Sequence, residues 1–476
     1  MQVQATRYDA YKLIHEGVLA LADAEQAGIR IDLEYCKRQK QKLRKHMARI
    51  NAEIEQSEFI QAWKTEYGLK FNQNSNTQLS YMLFEKYGFK PSKYTKKSGN
   101  PSTDDESLKQ INLPEIQRML KVRRLKKLGD YLDGFLREQV DGFIHTFFNL
   151  HLVVTYRSSS DSPNLQNIPN RDKEAMKLIR KAIFTRRGRQ FLSVDFSGIE
   201  VGIACCYHQD STMLKYLHDP KSDMHGDVAK QLFIVDDFDK KKHPEHSYLR
   251  GAAKNGFVFP QFYGDYYGSN AVSLLYTHGE LPHLKPKEKW KPGQGVPMPG
   301  GINLSDHLIS KGIKCYDDFL EHVKNVETDF WGKRFFEYAK WKETWLKQYQ
   351  KKGYFESLTG FKYSGNMLKN EVINYAVQGA AFHCLLWSFI QVNKQFKKYR
   401  MDSRLVLQIH DELVVDMHPK ERENVGEIIY DVTCNQLKKN WAWITVPMDV
   451  EAKICPVDGS WNMKSKYSLT EHKIIT

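Results

Sequence analysis

Residues 404–417 read RLVLQIHDELVVDM. Two alternating apolar runs, Leu405 to Ile409 and Leu413 to Val415, flank three consecutive ionisable residues, His410, Asp411 and Glu412. Alternation with a period of two marks strands, and a polar break between two such runs marks the tip of a hairpin. A second segment, RQFLSVDFSG at 189–198, reads as a strand ending on Asp195, because Ser197 and Gly198 break the apolar pattern. Either carboxylate alone is ordinary at a turn. Together they predict a metal site, since Mg²⁺ takes oxygen ligands and is commonly held by one or two carboxylates plus substrate phosphates. Two such ions about 4 Å apart stabilise both the attacking and the leaving oxygen of an in-line phosphoryl displacement. That chemistry serves nucleases as well as transferases, so the carboxylates alone do not separate making from breaking a phosphodiester.

Composition narrows the partners. The 476 residues carry 71 Lys and Arg against 57 Asp and Glu, a formal charge of +14. At 41% hydrophobic, with nine Trp, 25 Tyr and 25 Phe, the chain is globular, and its length implies roughly two to four lobes. A basic balance of this size attracts a polyanion, either nucleic acid or an anionic membrane surface. No apolar run approaches the roughly 20 residues that span a bilayer. The first 25 residues lack a signal-peptide block and transit-peptide character, so the expected location is the cytoplasm. Seven scattered cysteines without a CxxC pair read as buried thiols.

The pattern is helical from Leu33 to about Tyr67, with Leu43, Met47, Ile50 and Ile54 on one face and Lys37, Arg38, Lys40, Lys42, Arg44, Lys45 and Arg49 on the other. A second basic run, KVRRLKK at 121–127, raises the expectation of a phosphate-gripping surface. Short strands begin near residue 143 in FIHTFFNLHLVVTY. Helical spacing fills about 222–270, 316–352 and 370–397. Between them, Pro282, Pro286, Pro292, Pro297 and Pro299 punctuate a stretch to which no regular structure is assigned. The tail from Arg404 reads strand, turn, strand, helix, strand.

In YLRGAAKNGFVFPQFYG (248–264), Arg250 and Lys254 stand four apart on one helical face, with no acidic residue in the helix to pair with. Aromatics follow at once, as in sites that hold a phosphate and stack a base. Neither a GxxxxGK[ST] loop nor a strand-linked GxGxxG is present, so a nucleotide here is not held in the P-loop or Rossmann manner.

At these residues the sequence resembles the DNA polymerase I family, family A, and particularly its bacteriophage members. The resemblance runs from about Ala20 to Trp461 through several motifs in order. VDFSGIE (194–200) resembles the family's DYSQIE, and QIHDE (408–412) matches its second palm motif. By that resemblance Asp195, the Phe196 carbonyl and Asp411 are metal ligands, Glu412 is a neighbouring catalytic acid and His410 contacts the primer end. Glu200 is implied as the steric gate against a ribose 2′-OH. TYRSSSDSPNLQNIP (155–169) is similar to TGRLSSSDPNLQNIP, which implies that Arg157, Asn164, Gln166 and Asn167 line the minor groove of the nascent duplex. NYAVQGAAF (374–382) resembles NxPxQGxAA and adds Asn374 and Gln378 to that surface; Arg180 is assigned to the DNA side with them. DMHGDVAKQLF (223–233) resembles DIHxxTAxxxF and implies that His225 contacts the triphosphate beside Arg250 and Lys254. FNQNSNTQL (71–79) and STDDESL (102–108) match thumb elements.

The resemblance implies an α+β right-hand polymerase: a lead at 1–14, a helical thumb at 15–142, an antiparallel-sheet palm at 143–220 and 366–476, and helical fingers at 221–365 with an insertion at about 270–314. It implies template-directed transfer of dNMP to a primer 3′-OH, with two Mg²⁺ ions for which Mn²⁺ can substitute, primer–template DNA and dNTPs as partners, and a monomer. A similar palm in an RNA polymerase or reverse transcriptase, and a silent DNA-binding scaffold, are the alternatives; Glu200 and the two carboxylates speak against them. The fingers helix departs from the family pattern. Val258 stands at the fourth position after Lys254, where relatives have an aromatic, and Tyr263-Gly264 arrive one residue late. Pro260 predicts a bulge or kink there. Phe257 and Phe259 stay open as the ring that stacks on the incoming base, and Phe262 and Tyr263 as the ring behind it. No proofreading lobe and no upstream DxE carboxylate set are expected in the chain, so an exonuclease or a processivity factor would be a separate protein.

Overall fold

The computed structural model describes residues 5–91, 93–95, 99–169, 172–282 and 287–475; Pro286 and residues 96–98 of the second thumb-like loop lie outside them. The centre of the fold is a six-stranded antiparallel sheet with β1 (Gln190–Phe196), β2 (Arg404–Ile409), β3 (Glu412–Met417), β4 (Val450–Ile454), β5 (Ser465–Ser468) and β6 (Lys473–Ile474), in the order β2-β3-β1-β4-β5-β6. β1 is central because it is apolar on both faces: Phe191, Leu192, Ser193, Val194 and Phe196 are all buried. Only Asp195 breaks the run and reaches the surface.

The N-terminal helix α1 (Arg7–Ala27) packs on the sheet side, against β2 and the 30-residue helix Lys369–Lys398. The expected boundary between residues 14 and 15 therefore falls inside a continuous helix that belongs with the sheet. The helical pattern read as one run to Tyr67 is two helices, α2 (Leu33–Glu55) and Glu58–Tyr67, separated where Ser57 caps the second. α2 packs along α3 (Pro114–Glu138), burying Leu43, Ile50 and Ile54 against Leu125, Leu128 and Leu132. Lys42, Arg44, Lys45, Lys121, Lys126 and Lys127 enter no salt bridge among the described residues, whereas Lys37, Lys40, Arg123 and Arg124 are ion-paired.

After β1, Gly198 at φ 62° turns the chain into α4 (Ile199–His208), a left-handed backbone that a side chain would strain. α5 (Met224–Phe233) and α6 (Pro244–Ala253) follow, then α7 (Phe336–Lys352) and α8 (Lys369–Lys398), which lies across the back of α4. Residues 143–156 hold only two short strands, Phe143–Ile144 and Phe147–Asn149; the apolar stretch after them bends instead of pairing. The Pro-rich stretch is more ordered than its composition suggests. Gly300 and Gly301, both at positive φ, close a small hairpin of Pro297–Met298 and Ile302–Asn303, and a reciprocal Asn303/Asp306 cap starts the helix Leu304–Ser310. Among the described residues no helix is long and apolar enough to cross a membrane, and all seven cysteines are free thiols.

Candidate active site

The two sequence-distant aspartates converge. β2 and β3 pair up to Ile409 and Glu412, leaving His410 and Asp411 as a two-residue loop, with His410 at φ 50°. β3 pairs with β1 so that Glu412 stands opposite Asp195, and the Phe196 N–H donates to the Asp411 carbonyl at 3.1 Å. On the other side of β1, Glu451 of β4 is also opposite Asp195. Directly opposed residues share one face of a sheet. Glu412, Asp195 and Glu451 thus form a row of three carboxylates across three strands, with Asp411 at its end.

Like charges in such a row repel one another, and burial adds to the cost of ionising them. Asp195, which still reaches solvent, is pushed up to about 6 by the desolvating protein packed around its carboxyl group and then by the Glu412 charge. Asp411 is pushed up to about 6 by burial, with the Glu200 and Asp195 charges adding to it and Arg157 opposing. Glu412 goes the other way: burial opposes its ionisation, but a 2.6 Å ion pair with Lys464 and a nearby Arg180 hold it below the ordinary range. Asp411 Oδ1 is buried without a hydrogen-bond partner, and Arg157 lies 3.7 Å from it. Two crowded, proton-retaining carboxylates, one with an orphaned oxygen, suit a divalent cation that supplies the missing positive charge. No set of three or more metal-ligating side chains is gathered among the described residues, so a cation here needs ligands from outside the protein as well.

The floor and walls of the adjoining cavity, about 260 Å³, come from Gly198, Glu200, Phe259, Tyr263, Asn374 and Asp411, among others. Glu200 on the first turn of α4 accepts from the Tyr263 hydroxyl and, at 3.3 Å, from Arg157. Asn374 on α8 reaches the Tyr263 carbonyl at 3.5 Å.

The fingers helix resolves its own irregularity. α6 passes into a wide π turn at Lys254–Val258, where the Phe259 N–H bonds to the Lys254 carbonyl five residues back, and Pro260 opens the final turn Phe259–Phe262. A π turn takes up one extra residue. It therefore absorbs the one-residue delay and turns Phe259 and Tyr263 toward the cavity. Phe257 and Val258 point into the core, Phe257 against Phe330 at 5.3 Å, whereas Phe262 is buried but also lines the cavity. Lys254 lies over the Phe259 ring at 5.1 Å, and His225 of α5 meets that ring edge-on at 5.6 Å. Burial, with the Arg250 and Lys254 charges, pushes His225 down to about 4, so it is neutral at pH 7. Arg250 is not unpaired: Asp223, on the neighbouring α5 cap, accepts from its Nε at 2.8 Å. Contrary to the expectation from sequence, the helix does hold an acid, Glu245 in its first turn, but the partner of Arg250 comes from an element 27 residues earlier.

The other sequence-derived residues divide. Arg157 and His410 stand at the carboxylates, whereas Asn167 is exposed and Gln378 half-buried. Gln166 is buried, its amide donating to Ser158 Oγ and Gln408, and Asn164 accepts from Ser160 and the Asn167 N–H. Arg180 lies behind the site, over the Trp461 ring at 4.5 Å, facing Glu412. Sequence reasoning missed Glu451, Asp223 and Lys464. The alternation of VEAKI at 450–454 carried a signal for Glu451; nothing in the pattern marked Lys464.

The family model for DNA polymerase family A matches residues 33–274 and 310–461. The chain belongs to DNA polymerase family A. Residues 275–309, which hold the small hairpin, fall between the two matched blocks. Among curated relatives, the family A chain is 26% identical over 426 residues to DNA polymerase I of Borreliella burgdorferi, covering 88% of this chain and 41% of that protein. It is 27% identical over 484 residues to DNA polymerase I of Chloroflexus aurantiacus, covering 98% and 45%. A thermostable DNA polymerase I of Thermus aquaticus is 26% identical over 453 residues, 91% and 46%. The chain thus spans less than half the length of these relatives. A solved structure of the POL domain of Pol1 from M. smegmatis, in complex with DNA primer-template and dNTP, superposes with a TM-score of 0.69 at 23% identity over 94% of this chain and 70% of that one. This likeness establishes the right-hand α+β fold, with the antiparallel sheet as its palm.

Proposed function

We propose that the protein is a template-directed DNA polymerase that adds dNMP to a primer 3′-OH with release of pyrophosphate. The observation that carries this reading is the convergence of Asp195 and Asp411 beside a cavity walled by the Lys254–Tyr263 helix. Asp195, Asp411 and the Phe196 carbonyl would hold two Mg²⁺ ions, which supply activation of the 3′-OH and charge neutralisation on the triphosphate. Arg250, Lys254 and neutral His225 bind and orient the triphosphate, an electrostatic task without covalent chemistry. Phe259 offers its face to the incoming base. Glu200, fastened by Tyr263, fills the space a ribose 2′-OH would need and selects deoxynucleotides. Closing of the 221–365 lobe couples correct pairing to chemistry.

The unpaired lysines of α2 and α3, with a groove of about 950 Å³ lined by Asn74, Asn76, Thr77 and Lys126, suit the backbone of the product duplex. The lobe boundaries at 15–142, 143–220, 221–365 and 366–476 belong to this proposal, with α1 moved to the palm side. So does action as a monomer in the cytoplasm.

Extension of a labelled primer on a template, with Mg²⁺ and either dNTPs or rNTPs, tests the reading. Extension with dNTPs that is lost in Asp195→Ala and in Asp411→Ala, while both variants still bind primer–template, is expected. Retained extension by either variant, or a preference for rNTPs, refutes it.

A further inference from the structure

Trp461 is the last residue matched by the family, and the chain then runs through Lys464 into the β5–β6 hairpin at the sheet edge. Lys464 turns back beneath the active site. Its Nζ lies 2.6 Å from Glu412 Oε1, and the two side chains are 10% and 17% exposed. Trp461 fixes that approach: Lys464 Nζ is 4.5 Å from the ring centre, the indole N–H donates to Ser193 Oγ at 3.3 Å, and the backbone N–H donates to the Ile183 carbonyl at 2.9 Å. Ser193 precedes Asp195 by two residues on β1, hence on the same face.

The links from the hairpin to the reacting centre are therefore short. Lys464 holds Glu412, and Glu412 follows Asp411 in the chain and stands opposite Asp195 in register. A carboxylate with a buried ammonium on one oxygen is not free to swing along the row toward Asp195. Without that ammonium, Glu412, Asp195 and Glu451 would face one another with only Lys453 and Arg180 as nearby opposing charge.

We propose that Lys464 is a positioning residue for the Asp195–Asp411 pair, keeping Glu412 out of the metal-ligand set and so fixing the charge and spacing of the two ligating carboxylates. This deepens the polymerase reading and rests on it. Glu412 is then a structural acid shared between the palm hairpin and the C-terminal segment, and the β5–β6 hairpin is the clamp that delivers its counter-charge.

The test uses the full chain with Lys464→Met, Lys464→Arg, Glu412→Gln and the Lys464→Met/Glu412→Gln double variant. For each, kcat and KM for dNTP are measured with primer–template, and Mn²⁺ affinity is measured by electron paramagnetic resonance on the DNA-bound protein without nucleotide. Lys464→Met is expected to lower kcat roughly ten-fold or more with KM for dNTP changed less than about three-fold, and to shift Mn²⁺ affinity by more than about three-fold as the released Glu412 joins the ligands. Lys464→Arg, which keeps the charge, restores both. Glu412→Gln placed on Lys464→Met recovers part of kcat, because it removes the released carboxylate; a purely structural lysine would give no such recovery. Unchanged kcat or Mn²⁺ affinity in Lys464→Met, or failure of Lys464→Arg to restore them, overturns the proposal. If the unaltered chain extends no primer, the polymerase reading falls and takes this one with it; if it extends and Lys464→Met matches it, only this one falls.

Discussion

Asp411→Asn should make the protein more stable while destroying its activity. Asp411 has been moved from 3.8 to about 6 by burial and by the charges of Glu200 and Asp195. Its side chain is 26% exposed, so screening trims the effect without removing it. A displacement of that size is worth about 3 kcal/mol against the ionised form. Losing the Arg157 attraction and keeping a desolvated amide offset part of it, which leaves a net gain of roughly 1–2 kcal/mol for the variant near pH 8. The sign follows from proton uptake. Between about pH 4 and pH 6 the folded chain holds a proton at Asp411 that the unfolded chain has released, so folding stability at this site is full below pH 4 and is lost as pH rises through 6. Urea denaturation at pH 5 and pH 8 reads this directly: the advantage of Asp411→Asn is about half as large at pH 5 as at pH 8, and Mg²⁺ added at pH 8 raises the midpoint of the unaltered chain but not of the variant. Equal midpoints at pH 8, or a variant less stable there than the unaltered chain, would refute the account of a repelling carboxylate row.

Phe257→Ala and Phe259→Ala should separate cleanly. The first empties a fully buried site against Phe330 and costs about 3–5 kcal/mol of stability; the second leaves the melting temperature nearly unchanged and raises KM for dNTP in steady-state extension. Glu200→Ala opens the space beside Tyr263, and the ratio of dNTP to rNTP use in single-nucleotide incorporation should fall by roughly ten-fold or more. Arg186→Met takes the guanidinium from Asp416, whose side chain is 2% exposed, and leaves it only the residue-186 backbone N–H at 3.0 Å, so denaturant unfolding should show a loss of about 3 kcal/mol.

The short apolar runs LVLQI and LVV mark β2 and β3 in the sequence, because both strands bury nearly every residue and the polar break has nowhere to sit except the tip. Asp195 was legible for the same reason, as the lone exposed residue of an otherwise buried strand. What the sequence withheld was pairing across distance. The register that puts Glu412 and Glu451 on either side of Asp195 is a property of the folded sheet, and no local pattern encodes it. Asp223 escaped because an ion pair to Arg250 from another helix leaves no trace in the spacing of either one. The hairpin at Pro297–Asn303 escaped because its turn depends on two glycines at positive φ, and composition alone makes such a stretch look like a linker. Which aromatic faces the cavity could not be read by counting in fours, since the count changes at Lys254.

That change at Lys254 bears on how such chains diverge. Adding a residue to an ordinary helix rotates everything downstream by about 100° and carries its inner face away from the core. Here one widened turn confines the shift to five residues, and Tyr263 still reaches Glu200 as though nothing had been added. Evolution can therefore lengthen this element by single steps without rebuilding the wall it forms. Two family A chains aligned letter for letter across it would pair residues that occupy different sides of the same helix.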